Sequence, residues 1–149
     1  MNNNFPNLGR CLSILDRLMK MYYDYNLADF EIGWGQQFYV EYLYDHPGAS
    51  AQEMVECIRV DKGTLTKVIK KLTEIGYVEV VRSEKDKRMK FLYLTEKGVP
   101  AAKRIKELHS NFYNILCSNI QSSDIQRTEQ TMEQMTENIH QNISHRMEE

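Results

Sequence analysis

Between Arg59 and Lys90 lie ten cationic side chains: Arg59, Lys62, Lys67, Lys70, Lys71, Arg82, Lys85, Lys87, Arg88 and Lys90. Five carboxylates oppose them there, Asp61, Glu74, Glu79, Glu84 and Asp86. The segment carries +5 in a chain of net charge −2, so the remainder sums to −7 and the polarity is regional. A local concentration of cations is the chemistry that neutralises a phosphate backbone. Catalytic chemistry finds no comparable foothold. There is no Gly-rich phosphate loop, G-x-S-x-G elbow or H-E-x-x-H, and no serine or cysteine has a base at a recognised spacing. His140 and His145 are five apart and fall on different helix faces, while His46 and His109 lack partners at ligand spacing. The expectation is a chain that is not an enzyme, with no metal and no cofactor.

Elements with a recognisable period must position those cations. Asp61 is a good N-cap for a helix whose apolar residues Leu65, Val68, Ile69 and Leu72 make one narrow face, and Gly76 supplies its stop. Lys62, Thr66, Lys67 and Lys70 fall opposite. Upstream, Ser50 and Glu53 form an S-x-x-E capping box before Met54, Val55 and Ile58. The few residues around Arg59 and Val60 between the two helices fit a helix-turn-helix connection. After Gly76 the period becomes two. Tyr77, Val78, Val80 and Val81 are β-formers, Ser83 to Arg88 is a polar tip, and Met89, Phe91 and Tyr93 alternate with Lys90, Leu92 and Leu94. A hairpin is the reading.

Helices flank this centre. Leu8, Cys11, Leu12, Leu15, Leu18, Met19, Tyr22 and Tyr25 recur at three and four, and a second helix runs from about Gly35 to Tyr44, ended by His46-Pro47-Gly48. Thr95 is the expected cap of a long fifth helix carrying Val99, Ala102, Ile105, Leu108, Phe112, Ile115 and Leu116. After a polar joint from Ser118 to Asp124, Ile125, Met132, Met135, Ile139, Ile143 and Met147 mark a sixth. The end helices have more apolar surface than the small centre covers, so they are expected to cover each other across a two-fold axis. Two basic helices would then meet half-sites about 34–36 Å apart. Met1 to Asn7 has no basic n-region or apolar run, and no stretch of about eighteen apolar residues occurs, so neither secretion nor a membrane span is indicated and the cytoplasm is the default. Cys11, Cys57 and Cys117 are odd in number and far apart, which reads as reduced thiols.

The run Asp86-Lys87-Arg88-Met89-Lys90-Phe91-Leu92-Tyr93-Leu94-Thr95-Glu96-Lys97-Gly98 resembles the D-x-R-x-x-x-x-x-L-T-x-x-G wing signature of MarR/SlyA-type transcriptional regulators. Asp61 to Leu72, with Gly76, is similar to that family's recognition helix and closing glycine. The resemblance implies a mainly α (α+β) fold, a winged helix-turn-helix with N- and C-terminal dimerisation helices. It implies one domain over 1–149, with a DNA-binding lobe at 33–98 and a helical dimerisation lobe at 5–30 and 99–149. By the same resemblance Arg88, beside Lys87, enters the minor groove, Asp86 orients the wing tip, and Lys62, Thr64, Thr66, Lys67 and Lys70 lie toward the major groove. The physics agrees. An arginine on a hairpin tip suits a narrow A·T-rich minor groove. Lysines are phosphate anchors rather than base readers, and the threonines can touch base edges or thymine methyl groups. No arginine, asparagine or glutamine lies on the helix before Gly76, so specificity leans on shape.

The expected partners are double-stranded DNA and a second copy of the chain, and the expected activity is repression from a palindromic operator. Nine of the fifteen aromatics fall between Tyr22 and Tyr44. Tyr22, Tyr25, Trp34, Phe38, Tyr39 and Tyr42 can either pack as core or line a pocket for a small aromatic or phenolic effector, a place where this family often binds ligands. Cys11 is loosely comparable to the reactive cysteine of the family's redox-sensing branch, and is otherwise inert filler on the apolar stripe. A helical interaction module with a basic face is the alternative from another class.

Overall fold

The computed structural model describes residues 5–148, and side chains from 7 to 143. Met1 to Asn4, part of the polar leader, lie outside the described residues, as do the side chains of His145 and Met147. The elements run α1 (Phe5–Asn26), a 3₁₀ turn (Ala28–Phe30), α2 (Trp34–Asp45), β1 (Ala49–Ser50), α3 (Ala51–Ile58), α4 (Lys62–Glu74), β2 (Val78–Arg82), β3 (Lys90–Leu94), α5 (Val99–Leu116) and α6 (Ser122–Glu148). The fold is mainly helical with one small antiparallel sheet. The described chain divides into two compact units, one ending at His109 and one beginning at Ser110. The division falls inside α5, whose buried residues Ala101, Ala102, Ile105 and Leu108 all precede it.

In the first unit the core is built from Leu27, Val40, Leu43, Met54, Leu72, Ile105 and Leu108, all fully buried side chains. Burial of such a side chain contributes about 1.5–3 kcal/mol each, which is what fixes the helices around α4. Polar ties supplement it. Tyr23 Oη lies 2.6 Å from His109 Nδ1, and His109 Nε2 lies 2.9 Å from Glu41 Oε2, linking α1, α5 and α2. Burial, then the neighbouring Tyr22 and Glu41, pushes the Tyr23 phenol up to about 12, so it stays protonated. Lys106 Nζ reaches the Asp45 carboxylate at 2.7 Å, a second α5–α2 tie. Asp24 on α1 accepts the first backbone N–H of α2, from Trp34, at 2.8 Å. Gln37 is also fully buried, and among the described residues neither amide atom has a hydrogen-bond partner.

The sheet has the order β1-β3-β2, so the expected two-strand hairpin is extended by a third strand. Ala49 pairs with Leu92 and Ser50 with Phe91. Two residues are too few to show an alternation. The signals that bound α2, α3 and α4 hold, whereas α6 begins at Ser122, inside the joint expected to run to Asp124, and the start of α5 also differs. Thr95 is not the cap of α5. Its hydroxyl donates instead to the Gly76 carbonyl at 2.6 Å, and α5 begins at Val99. Gly98 sits at the junction because a Cβ there would meet Leu94 Cδ1 at 2.7 Å and the Tyr77 carbonyl at 3.0 Å.

In the second unit α6 carries Met132, Ile139 and Ile143 exposed, and the last turns of α5 expose Tyr113, Ile115 and Leu116.

Candidate nucleic-acid interface

α4 begins because Asp61 caps it: Oδ1 accepts the Thr64 backbone N–H at 2.8 Å and Oδ2 accepts the Thr64 hydroxyl at 2.6 Å. These bonds, the hydroxyl foremost, hold the Asp61 carboxyl below the ordinary aspartate range. The helix ends in a Schellman arrangement. The Tyr77 N–H reaches the Leu72 carbonyl at 2.8 Å and the Gly76 N–H reaches Thr73 at 3.0 Å, with Gly76 at φ +81°. Leu65 and Leu72 anchor the inner face, while Val68 and Ile69 are half-buried. Lys62, Gly63, Thr64, Thr66, Lys67 and Lys70 are all exposed. Lys70 also lies 3.9 Å from Glu74 one turn on, a loose surface pair. Lys71 turns away toward Gln36 on α2, at 3.4 Å from Oε1, which separates it from the other lysines.

Ahead of α4, Ser50 and Glu53 close the expected capping box: the Glu53 N–H donates to Ser50 Oγ at 3.2 Å and the Ser50 N–H to Glu53 Oε2 at 2.6 Å. α3 ends at Arg59, whose backbone is left-handed at φ 57°, and that residue makes the corner into α4. Nothing in the sequence marks an arginine for this conformation.

The hairpin registers Val78 with Leu94, Val80 with Leu92 and Arg82 with Lys90. Its tip folds on local bonds. Ser83 Oγ accepts the N–H groups of Lys85 and Asp86, each at 3.2 Å, and Asp86 Oδ1 accepts the Arg88 N–H at 2.9 Å. The Met89 N–H reaches the Asp86 carbonyl, also at 2.9 Å, and the Ser83 N–H closes the loop onto Met89 at 3.0 Å. Lys85, Asp86, Lys87 and Arg88 are exposed. Ser83 is the tip residue that the sequence reading did not single out; the signal was its spacing of three from Asp86, an ST-turn pattern.

The six aromatic pocket candidates stand in different surroundings among the described residues. Trp34 packs edge-on against Phe38 with ring centroids 4.9 Å apart and lies 5.3 Å from Tyr23, which adjoins Tyr22. Tyr39 is core, and Tyr25 is 84% exposed. Of the six, Phe38 and Tyr42 line a cavity of about 400 Å³ between α2 and α3, with Glu41, Asp45, His46, Cys57 and Ile58. Hydrogen bonding to Cys57, then burial, pushes the Tyr42 phenol up to about 12. Cys11 is exposed on α1 rather than packed. Among the described residues no cluster of His, Cys, Asp and Glu could hold a metal ion, and no helix is long and apolar enough to cross a membrane.

The sequence model of the MarR family matches residues 33–90, from the start of α2 to the first residue of β3. A MarR transcriptional regulator from Methanosarcina mazei Go1 has a solved structure similar to this one. The two are 30% identical with a TM-score of 0.78, over 91% of this chain and 98% of that one. The chain belongs to the MarR family. Among curated relatives, YybA of Bacillus subtilis strain 168, an uncharacterized HTH-type transcriptional regulator, is 31% identical over 98 residues, 66% of this chain. BilQ of Clostridium symbiosum strain WAL-14163, also an HTH-type transcriptional regulator, is 38% identical over 82 residues, 55% of this chain. The chain spans 63% and 55% of the lengths of those two relatives. These relatives are named as transcriptional regulators rather than enzymes, and the fold of this chain is the one seen in the Methanosarcina mazei regulator.

Proposed function

We propose that this chain is a cytoplasmic, DNA-binding transcriptional regulator that acts as a homodimer on a palindromic operator and represses by occupying it. The observation that carries the reading is the pairing, in one unit, of an exposed lysine and threonine face on α4 with a braced hairpin tip bearing Lys87 and Arg88. Lys62, Lys67 and Lys70 are suited to phosphates, and Arg88 to a narrow minor groove. Dimerisation is supported by apolar side chains left open on α1, Leu8, Leu12, Leu18 and Met21 among them, and by those left open on α6. An effector that altered the distance between two such helices would weaken both half-sites together. The cavity bearing Phe38 and Tyr42 is our candidate site for a small aromatic effector. A second reading is control by thiol oxidation at Cys11, for which Cys11→Ser should abolish an oxidant response.

The test is selection of bound duplexes from a random DNA pool at moderate salt, with molar mass measured by light scattering. A recovered inverted repeat bound by a dimer is the expected result. Salt-sensitive binding without sequence preference, or no binding, would favour the alternative of a helical interaction module with a basic face.

A further inference from the structure

Thr64 and Thr66 are exposed on α4, yet neither hydroxyl has its proton to offer a base. Thr64 Oγ1 donates to Asp61 Oδ2 at 2.6 Å, inside the cap that starts the helix. Thr66 Oγ1 donates to the Lys62 carbonyl one turn back, at 2.8 Å. A threonine hydroxyl has a single proton, so both are spent on the helix itself. With the hydroxyl drawn back, the γ-methyl is the group that the tetrahedral Cβ leaves facing outward. The stiff χ1 of a β-branched residue holds it there.

Thr64 and Thr66, two apart, flank the buried side of α4 on either hand, and the rest of its exposed surface narrows the chemistry further. Gly63 has no side chain, and Lys62, Lys67 and Lys70 are flexible point charges that fit phosphates. No amide or guanidinium side chain is present between Lys62 and Glu74 to make a bidentate base contact. What a major groove offers to a methyl is the thymine 5-methyl, the one apolar group among its base edges. We propose that Thr64 and Thr66 read thymine 5-methyl groups, so that α4 discriminates by apolar contact while its lysines supply affinity without sequence. The operator half-site then carries thymine where these two residues meet it. This rests on the DNA-binding reading above and deepens it.

The test uses the operator recovered by selection, resynthesised with deoxyuridine in place of thymidine. That change removes the methyl and leaves every hydrogen-bonding group and phosphate in place. Affinity should fall about fourfold per contacted methyl, the value of burying one carbon group, and so about fifteenfold for each half-site in which both threonines meet one. The salt slope should not move, because phosphate contacts are untouched. Thr66→Ser keeps the bond to Lys62 and loses only the methyl, so it should narrow the difference between the two duplexes, and the double variant Thr64→Ser/Thr66→Ser should abolish it. Thr66→Val keeps the methyl and should retain the difference. Equal binding of both duplexes by the unsubstituted protein, persistence of the difference in the double serine variant, or its loss in Thr66→Val would overturn the methyl assignment while leaving DNA binding intact. Failure to recover any operator would overturn the DNA-binding reading and this assignment with it.

Discussion

α4 and the hairpin tip carry the cations of the proposed interface, and they are held in opposite ways. α4 is anchored from beneath by Leu65 and Leu72 and stopped at both ends by a side-chain cap and a left-handed glycine. The tip has no buried residue from Ser83 to Met89 and is braced by bonds among its own members. One element takes its position from the core, and the other takes its shape from local turn chemistry. Damage to the support of α4 should therefore cost stability, whereas damage to the tip should cost binding alone.

The largest effect expected from that contrast is on stability. Leu72→Ala should lower unfolding free energy by about 2–5 kcal/mol, read from denaturant titration, because a fully buried leucine leaves a cavity. A loss under about 1 kcal/mol would show that α4 does not depend on its underside. Arg88→Ala should leave the melting curve unchanged and weaken operator binding by about 1–3 kcal/mol. Unchanged affinity would remove the tip from the interface, and a lowered melting temperature would remove the contrast. Gln37→Met, on the α2 helix that packs against α4, should raise stability by about 1–2 kcal/mol. It replaces two unpartnered buried amide atoms with apolar ones of similar volume, so a destabilised variant would argue that the amide is satisfied in solution.

The smallest effect concerns acid. The folded Asp61 carboxyl titrates below its unfolded value of about 3.9, so its contribution to stability is complete above that value and is lost as pH falls through the depressed one. Asp61→Asn should flatten the stability profile slightly in that acid window and nowhere else, as followed by circular dichroism.

What was legible in the sequence was whatever rests on neighbours along the chain. The Ser50/Glu53 box, the Asp61 cap and the Gly76 stop follow from local spacing and residue type, while the role of Asp86 at the tip came from the family resemblance, and its bond to the Arg88 N–H is likewise local. β1 was missed because its two residues owe their strand geometry to pairing with Leu92 and Phe91, some forty positions away. Thr95 was misassigned for the same reason. A threonine ahead of a helix suits a cap, but a distant carbonyl at Gly76 competes for its hydroxyl. The aromatic cluster shows the limit most plainly, since helical spacing puts Tyr39 and Tyr42, three apart, on one side of α2 without saying that Tyr39 is the one the core covers.

The bond from Thr95 to Gly76 joins the far root of the hairpin to the end of α4. The Thr95 N–H also reaches the Tyr77 carbonyl at 2.9 Å, and Lys97 Nζ holds the Ile75 carbonyl at 2.7 Å. Helix and hairpin are thus riveted at a common base and behave as the two jaws of a fixed-gauge calliper. Such a tool has no adjustment between its jaws. A base pair inserted inside a half-site, between what the helix meets and what the tip meets, would leave one jaw hanging, while a change in the gap between half-sites is a matter for two callipers and the frame that carries them.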